Sequence, residues 1–319
     1  MTISQRLTQI VGARLQENEP MNKHTNFRIG GPAKWFVDVK SVEELKDVLE
    51  VARESGIAFM ILGGGSNILV NDAGFDGIVI KISMRSYEIH GTTIKAQAGV
   101  LTCGLARATA MHGLAGLTWA ISLPGTVGGA VRGNAGCFGG EMWDHLASVE
   151  VLRDWEVLEV SKRDLAFGYR DSSFKHNHDV ILSVTFELAH GEEEQLKAEL
   201  NDKLMKRKTS QPLNAGSAGC LFKNYEATDE ELQRLATKLD IPVQMSSARR
   251  LSAGWLIDQL NLKGTQIGGA RISDVHGNFV VNTGEATADD VAQLIALVKT
   301  RARNEYGIML KEEIEYIGF

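Results

Sequence analysis

Between residues 41 and 56, apolar side chains recur at Val42, Leu45, Val48, Leu49 and Ala52, the spacing that lines one face of a helix. Ser41 stands as N-cap, Glu44 three residues on completes a capping box, and Gly56 supplies the stop. Residues 57–62 follow as a short apolar run that reads as a buried strand, and 78–82 as another, so the opening region has a β-α-β character. From residue 87 the period shortens, and 89–98 around Gly91 and 149–160 around Asp154-Trp155 read as hairpins. Residues 192–208 run from acidic to basic and read as one helix whose charges complement its dipole. The polar stretch 209–216 breaks the periodicity and puts a domain boundary near residue 208. Beyond it the pattern predicts helices over 229–239 behind Thr228, over 252–260, and over 288–306 with Thr287 as cap and Asp290 at N3. A β run over 270–282 and a closing strand over 308–318 complete an α+β chain without internal repeats.

Composition narrows the function classes. A chain of 319 residues with 44% hydrophobic content is long enough for two cores. Its net charge of −6 argues against nonspecific nucleic-acid binding, and the basic cluster at 203–208 reads as the solvated end of the charged helix. Residues 1–15 lack the apolar core of a signal peptide, and no run reaches the roughly 18 apolar residues of a membrane span, so the expected location is the cytoplasm. Cys103, Cys137 and Cys220 form no close pair and are expected as reduced thiols. His176 and His178 have no third ligand at zinc-like spacing, so no metal is expected.

Candidate chemistry concentrates in two glycine-rich loops. Residues 61–70 read Ile-Leu-Gly-Gly-Gly-Ser-Asn-Ile-Leu-Val. Gly63, Gly64 and Gly65 let backbone N–H groups approach an anion, and Ser66 and Asn67 offer polar contacts; by itself the triplet is more simply a tight turn between buried strands. The second loop, residues 123–130, reads Leu-Pro-Gly-Thr-Val-Gly-Gly-Ala, with Gly133, Gly136, Gly139 and Gly140 close behind. Such density lets backbone approach a ligand, yet neither loop has the Gly-x-Gly-x-x-Gly or Gly-x-x-x-x-Gly-Lys-Ser/Thr spacing.

Six segments, in order, carry a more specific likeness: His24-Thr-Asn-Phe-Arg-Ile-Gly-Gly-Pro-Ala33, Leu62-Gly-Gly-Gly-Ser-Asn-Ile-Leu69, Pro124-Gly-Thr-Val-Gly-Gly-Ala130, Tyr169-Arg-Asp-Ser-Ser-Phe-Lys175, Ser217-Ala-Gly-Cys-Leu-Phe-Lys-Asn224 and His276-Gly-Asn-Phe-Val-Val-Asn-Thr-Gly284. Across nearly its whole length the chain resembles the UDP-N-acetylenolpyruvoylglucosamine reductase family. The resemblance implies a two-part FAD-binding domain of the PCMH/vanillyl-alcohol-oxidase-like type over 1–208, with subdomains of about 1–85 and 86–208. A smaller α+β substrate-binding domain follows over 209–319. It also implies FAD and NADPH as cofactors and a UDP-sugar as substrate, with no nucleic-acid or membrane partner and the oligomeric state left open.

By the same resemblance, His24, Asn26, Gly63, Gly64, Gly65, Ser66, Asn67, Pro124, Gly125, Thr126, Gly128 and Gly129 contact the cofactor. Tyr169, Lys223 and Asn224 contact substrate, and Arg170, Cys220 and Glu313 are catalytic. Cys220 stands where many members have serine, and Lys311-Glu312 replaces the usual Glu-Pro before Glu313. On a strand, Glu313 and Glu315 share one face and Glu312 takes the other. Two further readings are an FAD-linked oxidase of the same fold and a nucleotide-binding module without catalysis.

Overall fold

In the computed structural model, which describes residues 1–319, the helix Val42–Ser55 has Ser41 as its cap, the Ser41 hydroxyl accepting from the Glu44 amide at 3.1 Å. The second half of the expected capping box goes elsewhere. The Glu44 carboxylate accepts from the Lys40 amide at 2.8 Å and from both Arg14 terminal nitrogens at 2.7 and 2.6 Å. The bidentate Arg14 pair holds this carboxyl below its usual range.

Leu45, Val48, Val51 and Ala52 of this helix bury in one apolar cluster that extends from Leu7 to Leu200. That cluster includes side chains of a sheet ordered Leu15–Pro20, Pro32–Val39, Phe75–Ile82, Phe59–Leu62. Both neighbours of Phe75–Ile82 run parallel to it. Phe59–Leu62 is therefore an edge strand, with Phe59 47% exposed, where the sequence pattern suggested a buried one.

The hairpins form as the alternation indicates. A five-stranded antiparallel sheet is ordered Glu156–Ser161, Leu146–Arg153, Val180–Glu187, Thr93–Gln97, Tyr87–His90. Asp154 and Trp155 turn its first hairpin at φ +48° and +68°, the left-handed pair whose twist suits a two-residue loop.

By internal contacts the chain forms two compact units. Unit 1 comprises Met1–Glu19, Ala33–Gly65 and Phe75–Thr209; unit 2 comprises Pro20–Pro32, Ser66–Gly74 and Ser210–Phe319. In unit 2 the helix Ala288–Tyr306 carries the full capping box of Thr287 and Asp290 and ends at Gly307 in left-handed backbone. Asp72 adds its carboxylate to the same helix start, accepting from the Ala288 and Asp289 amides at 2.9 and 3.2 Å. The apolar face of this helix, through Val291, Leu294, Ile295 and Val298, joins Phe27, Ile29, Leu69 and Ile272 in a second core.

Three expected elements of unit 2 are shorter than their patterns. The helix after Thr228 stops at Ala236. The run 270–282 divides into antiparallel strands Ala270–Ile272 and Val280–Asn282, with Gln266–Ile267 as a third. In the last segment only Glu315–Ile317 is a strand, parallel to Ile68–Val70, because the chain bends at Ile314. Glu313 thus precedes the strand that holds Glu315, instead of sharing it as expected. No helix is long and apolar enough to cross a membrane.

Asp290 accepts from the Thr287 and Gly269 amides, both at 3.0 Å, and the Thr287 bond leads the causes that lower its pKa. A carboxyl depressed on folding contributes stability above its unfolded pKa of about 3.9, and that contribution is lost as pH falls through the folded value. Asp290→Asn should lower stability at neutral pH by about 0.5 kcal/mol and flatten the acid limb. Urea titrations at neutral pH and below pH 4 check both effects.

Candidate functional site

The two glycine loops meet inside unit 1. The edge strand Phe59–Leu62 leads into Gly63-Gly64-Gly65, and the loop at Pro124 leads into the helix Val127–Arg132. A Cβ on Gly64 would lie 2.4 Å from the Gly125 Cα, so the two backbones touch where only glycine fits. A Cβ on Gly63 would lie 2.7 Å from Thr126 Oγ1. Gly65 is buried at φ +62°, and neither it nor Gly64 donates its N–H to a protein acceptor. Thr126 Oγ1 is buried with no hydrogen-bond partner.

The second loop behaves differently. The Val127 and Gly128 amides already donate to the Val100 and Ala98 carbonyls at 2.8 and 2.9 Å, and Thr102 Oγ1 donates to the Leu123 carbonyl at 2.6 Å. Gly128 thus anchors the loop to the strand side, while Gly64, Gly65 and Thr126 keep donors without a protein acceptor.

Arg170 also lies in unit 1, with Tyr169 in the two-residue loop between the paired strands Phe167–Gly168 and Asp171–Ser172. Its backbone is left-handed at φ +56°, its Nη2 donates to the Gly136 carbonyl at 2.6 Å, and its guanidinium lies 5.0 Å from the centre of the Tyr169 ring. Lys175 Nζ donates to the Arg170 carbonyl at 3.1 Å.

Cys220 and Glu313 lie in unit 2, on backbone segments that are stitched together. Cys220 bridges to Phe279 and Phe222 to Glu312, the Glu313 amide donates to the Leu221 carbonyl at 2.7 Å, and Lys223 N donates to the Lys311 carbonyl at 2.9 Å. The Glu313 carbonyl accepts from Asn67 Nδ2 at 3.0 Å. Asn67 therefore spends its amide on the Glu313 backbone.

Asn278, 2% exposed, clamps Phe222 from the opposite side. Its Oδ1 accepts from the Phe222 amide at 2.9 Å and its Nδ2 donates to the Phe222 carbonyl at 2.8 Å. His276 Nδ1 accepts from the Asn278 amide at 3.2 Å, and burial pushes the imidazole below its usual pKa. Asn224 Oδ1 accepts from the Ala253 amide at 3.1 Å, and the Asn26 carbonyl accepts from the Ser217 amide at 3.1 Å. His24 closes the short turn Met21–Lys23, donating its amide to the Met21 carbonyl at 2.9 Å. Ser66 belongs to unit 2, and Pro124 and Gly129 to unit 1.

Comparison with known proteins gives these loops a family. The C-terminal domain of UDP-N-acetylenolpyruvoylglucosamine reductase matches residues 211–317, and an FAD binding domain matches residues 33–156. The UDP-N-acetylenolpyruvoylglucosamine reductase of Clostridioides difficile is 38% identical over 307 residues, 95% of this chain and 93% of that one. The chain belongs to the UDP-N-acetylenolpyruvoylglucosamine reductase family. The reductase of Desulfosudis oleivorans is likewise 38% identical, over 98% of this chain and 97% of its own. A solved reductase from Thermus caldophilus, 34% identical, superposes with a TM-score of 0.76 over 95% of this chain and 99% of that one.

For a member of this reductase family, the unmet donors of unit 1 suit the group that the matched FAD binding domain holds. Buried N–H and O–H groups without acceptors cost about 1–3 kcal/mol each, and phosphate oxygens satisfy such groups. Asn278 was not among the residues singled out in the sequence. Its only signal there is a polar residue beside Phe279-Val280-Val281 in the motif at 276–284. Gly64→Ala should push the two loops apart, lowering stability by about 1–3 kcal/mol and leaving the purified protein poorer in flavin. Thermal unfolding and visible absorbance together check this.

Proposed function

We propose that this chain reduces UDP-N-acetylglucosamine enolpyruvate to UDP-N-acetylmuramate with NADPH, as an FAD oxidoreductase of peptidoglycan precursor synthesis. The observation that carries the reading is the backbone stitching of the Cys220 and Glu313 segments, joined by the Glu313 amide to Leu221 carbonyl bond, in a chain of this reductase family.

The chemistry that bound FAD would supply is hydride transfer between a nicotinamide and one carbon of the enol ether. Gly64, Gly65 and Thr126, whose N–H or O–H groups have no protein acceptor, would hold the FAD pyrophosphate. Hydride addition leaves negative charge on the neighbouring carbon, conjugated with the substrate carboxylate. Arg170 stabilises that charge as a cation and Glu313 does so in its protonated form, as a hydrogen-bond donor, and Cys220 donates the proton that completes the reduction. A thiol with an ordinary pKa of about 8.5 is mostly protonated at neutral pH and is a far stronger acid than the serine hydroxyl usual at this position. Cys137 is a poorer donor, because burial pushes its pKa up and its Sγ is engaged with the Trp119 carbonyl at 3.4 Å. Tyr169, Lys223 and Asn224 bind the UDP-sugar.

Anaerobic spectra test the reading. NADPH should bleach a 1:1 flavin, and the enolpyruvyl UDP-sugar alone should restore it; recovery only with oxygen would make the protein an oxidase. Cys220→Ala should still bleach with NADPH yet turn over the sugar about 10²–10⁴-fold more slowly, whereas Cys220→Ser should retain more activity than Cys220→Ala. Unchanged turnover in Cys220→Ala removes the thiol from the mechanism.

A further inference from the structure

We propose that Asn134 and Ser172 are positioning residues for Arg170, and that the helix Val127–Arg132 is the strut by which the glycine loop sets the arginine turn. The inference rests on the role given to Arg170 above. It starts from a residue with no obvious reason to be polar. Asn134 is fully buried and sits in left-handed backbone at φ +40°, immediately after the helix ends.

Its side chain is spent on two backbone groups. Nδ2 donates to the Gly168 carbonyl at 2.9 Å, and Oδ1 accepts from the Trp143 amide at 3.2 Å. Ser172, 2% exposed, donates its hydroxyl to the Arg132 carbonyl at 2.6 Å. Gly168 and Ser172 stand on the two strands that lead into and out of the Tyr169-Arg170 loop. With Arg170 Nη2 on the Gly136 carbonyl, both feet and the tip of this hairpin are fastened to the single segment 132–136.

Such fastening is what an arginine at φ +56° requires, since the second position of a tight loop with left-handed backbone ordinarily takes glycine or asparagine. A side chain held there persists only where its surroundings over-determine it. The other end of the strut is equally fixed. Thr126 precedes the helix and packs beside Gly63, and the Val127 and Gly128 amides are tied to Val100 and Ala98. Six helical residues span about 9 Å, so a rigid rod of that length separates the flavin loop from the arginine anchor. Asn134 joins the rod itself through its amide, which donates to the Val131 carbonyl at 3.0 Å.

The test uses the flavin-loaded enzyme and reads two quantities. Amide hydrogen exchange at Trp143 and across 165–175 should quicken in Asn134→Ala. The rate at which the enolpyruvyl UDP-sugar reoxidises NADPH-reduced flavin should fall on the order of 10–100-fold. The drop should appear in kcat, and with Arg170→Ala already present, adding Asn134→Ala should cost less than about twofold more. Full multiplication of the two losses would show that Asn134 acts independently of Arg170 and overturn the proposal, as would faster exchange without slower reoxidation. If Asn134→Ala fails to fold, Ser172→Ala removes the second fastening and enters the same cycle. Should the parent's reduced flavin ignore the sugar, the reaction assigned above falls. Exchange then decides the anchoring alone, and protection retained in Asn134→Ala overturns it.

Discussion

The contact between Gly64 and Gly125 sets the geometry of unit 1. With less than 2.5 Å available where a Cβ on Gly64 would meet the Gly125 Cα, the loops approach backbone to backbone, and no other residue reproduces that separation without moving one of them. The contact fixes where the helix Val127–Arg132 begins and leaves Thr126 Oγ1 enclosed without a partner. A buried hydroxyl without an acceptor is costly to keep, so the close approach of the loops is held against a local penalty.

Unit 2 solves a different problem. Its central segments are too irregular to form a long ladder, so the isolated bridges at Cys220, Phe222 and Gly216 are reinforced by asparagine side chains. A primary amide carries donor and acceptor together and can imitate the edge of a strand. Asn278 does this for Phe222. Asn282 donates to the Phe27 and Arg28 carbonyls while its Oδ1 accepts from the Gly284 and Ala286 amides. Asn67 holds the Glu313 carbonyl. Because buried amides of this kind are costly to leave half satisfied, the network tolerates few alternative registers, and the Cys220 and Glu313 backbones are set against each other within narrow limits.

Much of this was legible in the residues. The capping boxes at Thr228 and Thr287, the Asp154-Trp155 hairpin and the helix after Ser41 are local devices, written in a few adjacent positions. What was not legible depends on distant partners. Glu44 abandons its capping role because Arg14, thirty residues earlier, offers a bidentate ion pair. The strand Phe59–Leu62 is apolar yet lies at an edge, since sheet order is a property of the whole chain. Around the site, glycine density pointed to both loops, but not to which amides remain available. Val127 and Gly128 are consumed by Val100 and Ala98, and nothing in the motif announces it. Asn278 and Asn134 escaped notice because a buried asparagine matters through the carbonyl it meets, and that carbonyl lies 34 residues away for Asn134 and 56 for Asn278.

Backbone strain follows the same logic. Asn134, Phe138 and Arg170 are non-glycine residues at positive φ, within the stretch that carries the arginine turn. Each such residue costs on the order of 1 kcal/mol or more, so the stretch has been kept in its shape against local preference. Glycine at 170 would relieve the backbone but remove the cation, and a relaxed loop would carry the guanidinium elsewhere. The hydrogen bonds that Asn134 and Ser172 donate, and the one that the Gly136 carbonyl accepts from Arg170, resolve that conflict. They let a cationic residue occupy left-handed backbone that glycine or asparagine would ordinarily take, with its guanidinium held on the Gly136 carbonyl.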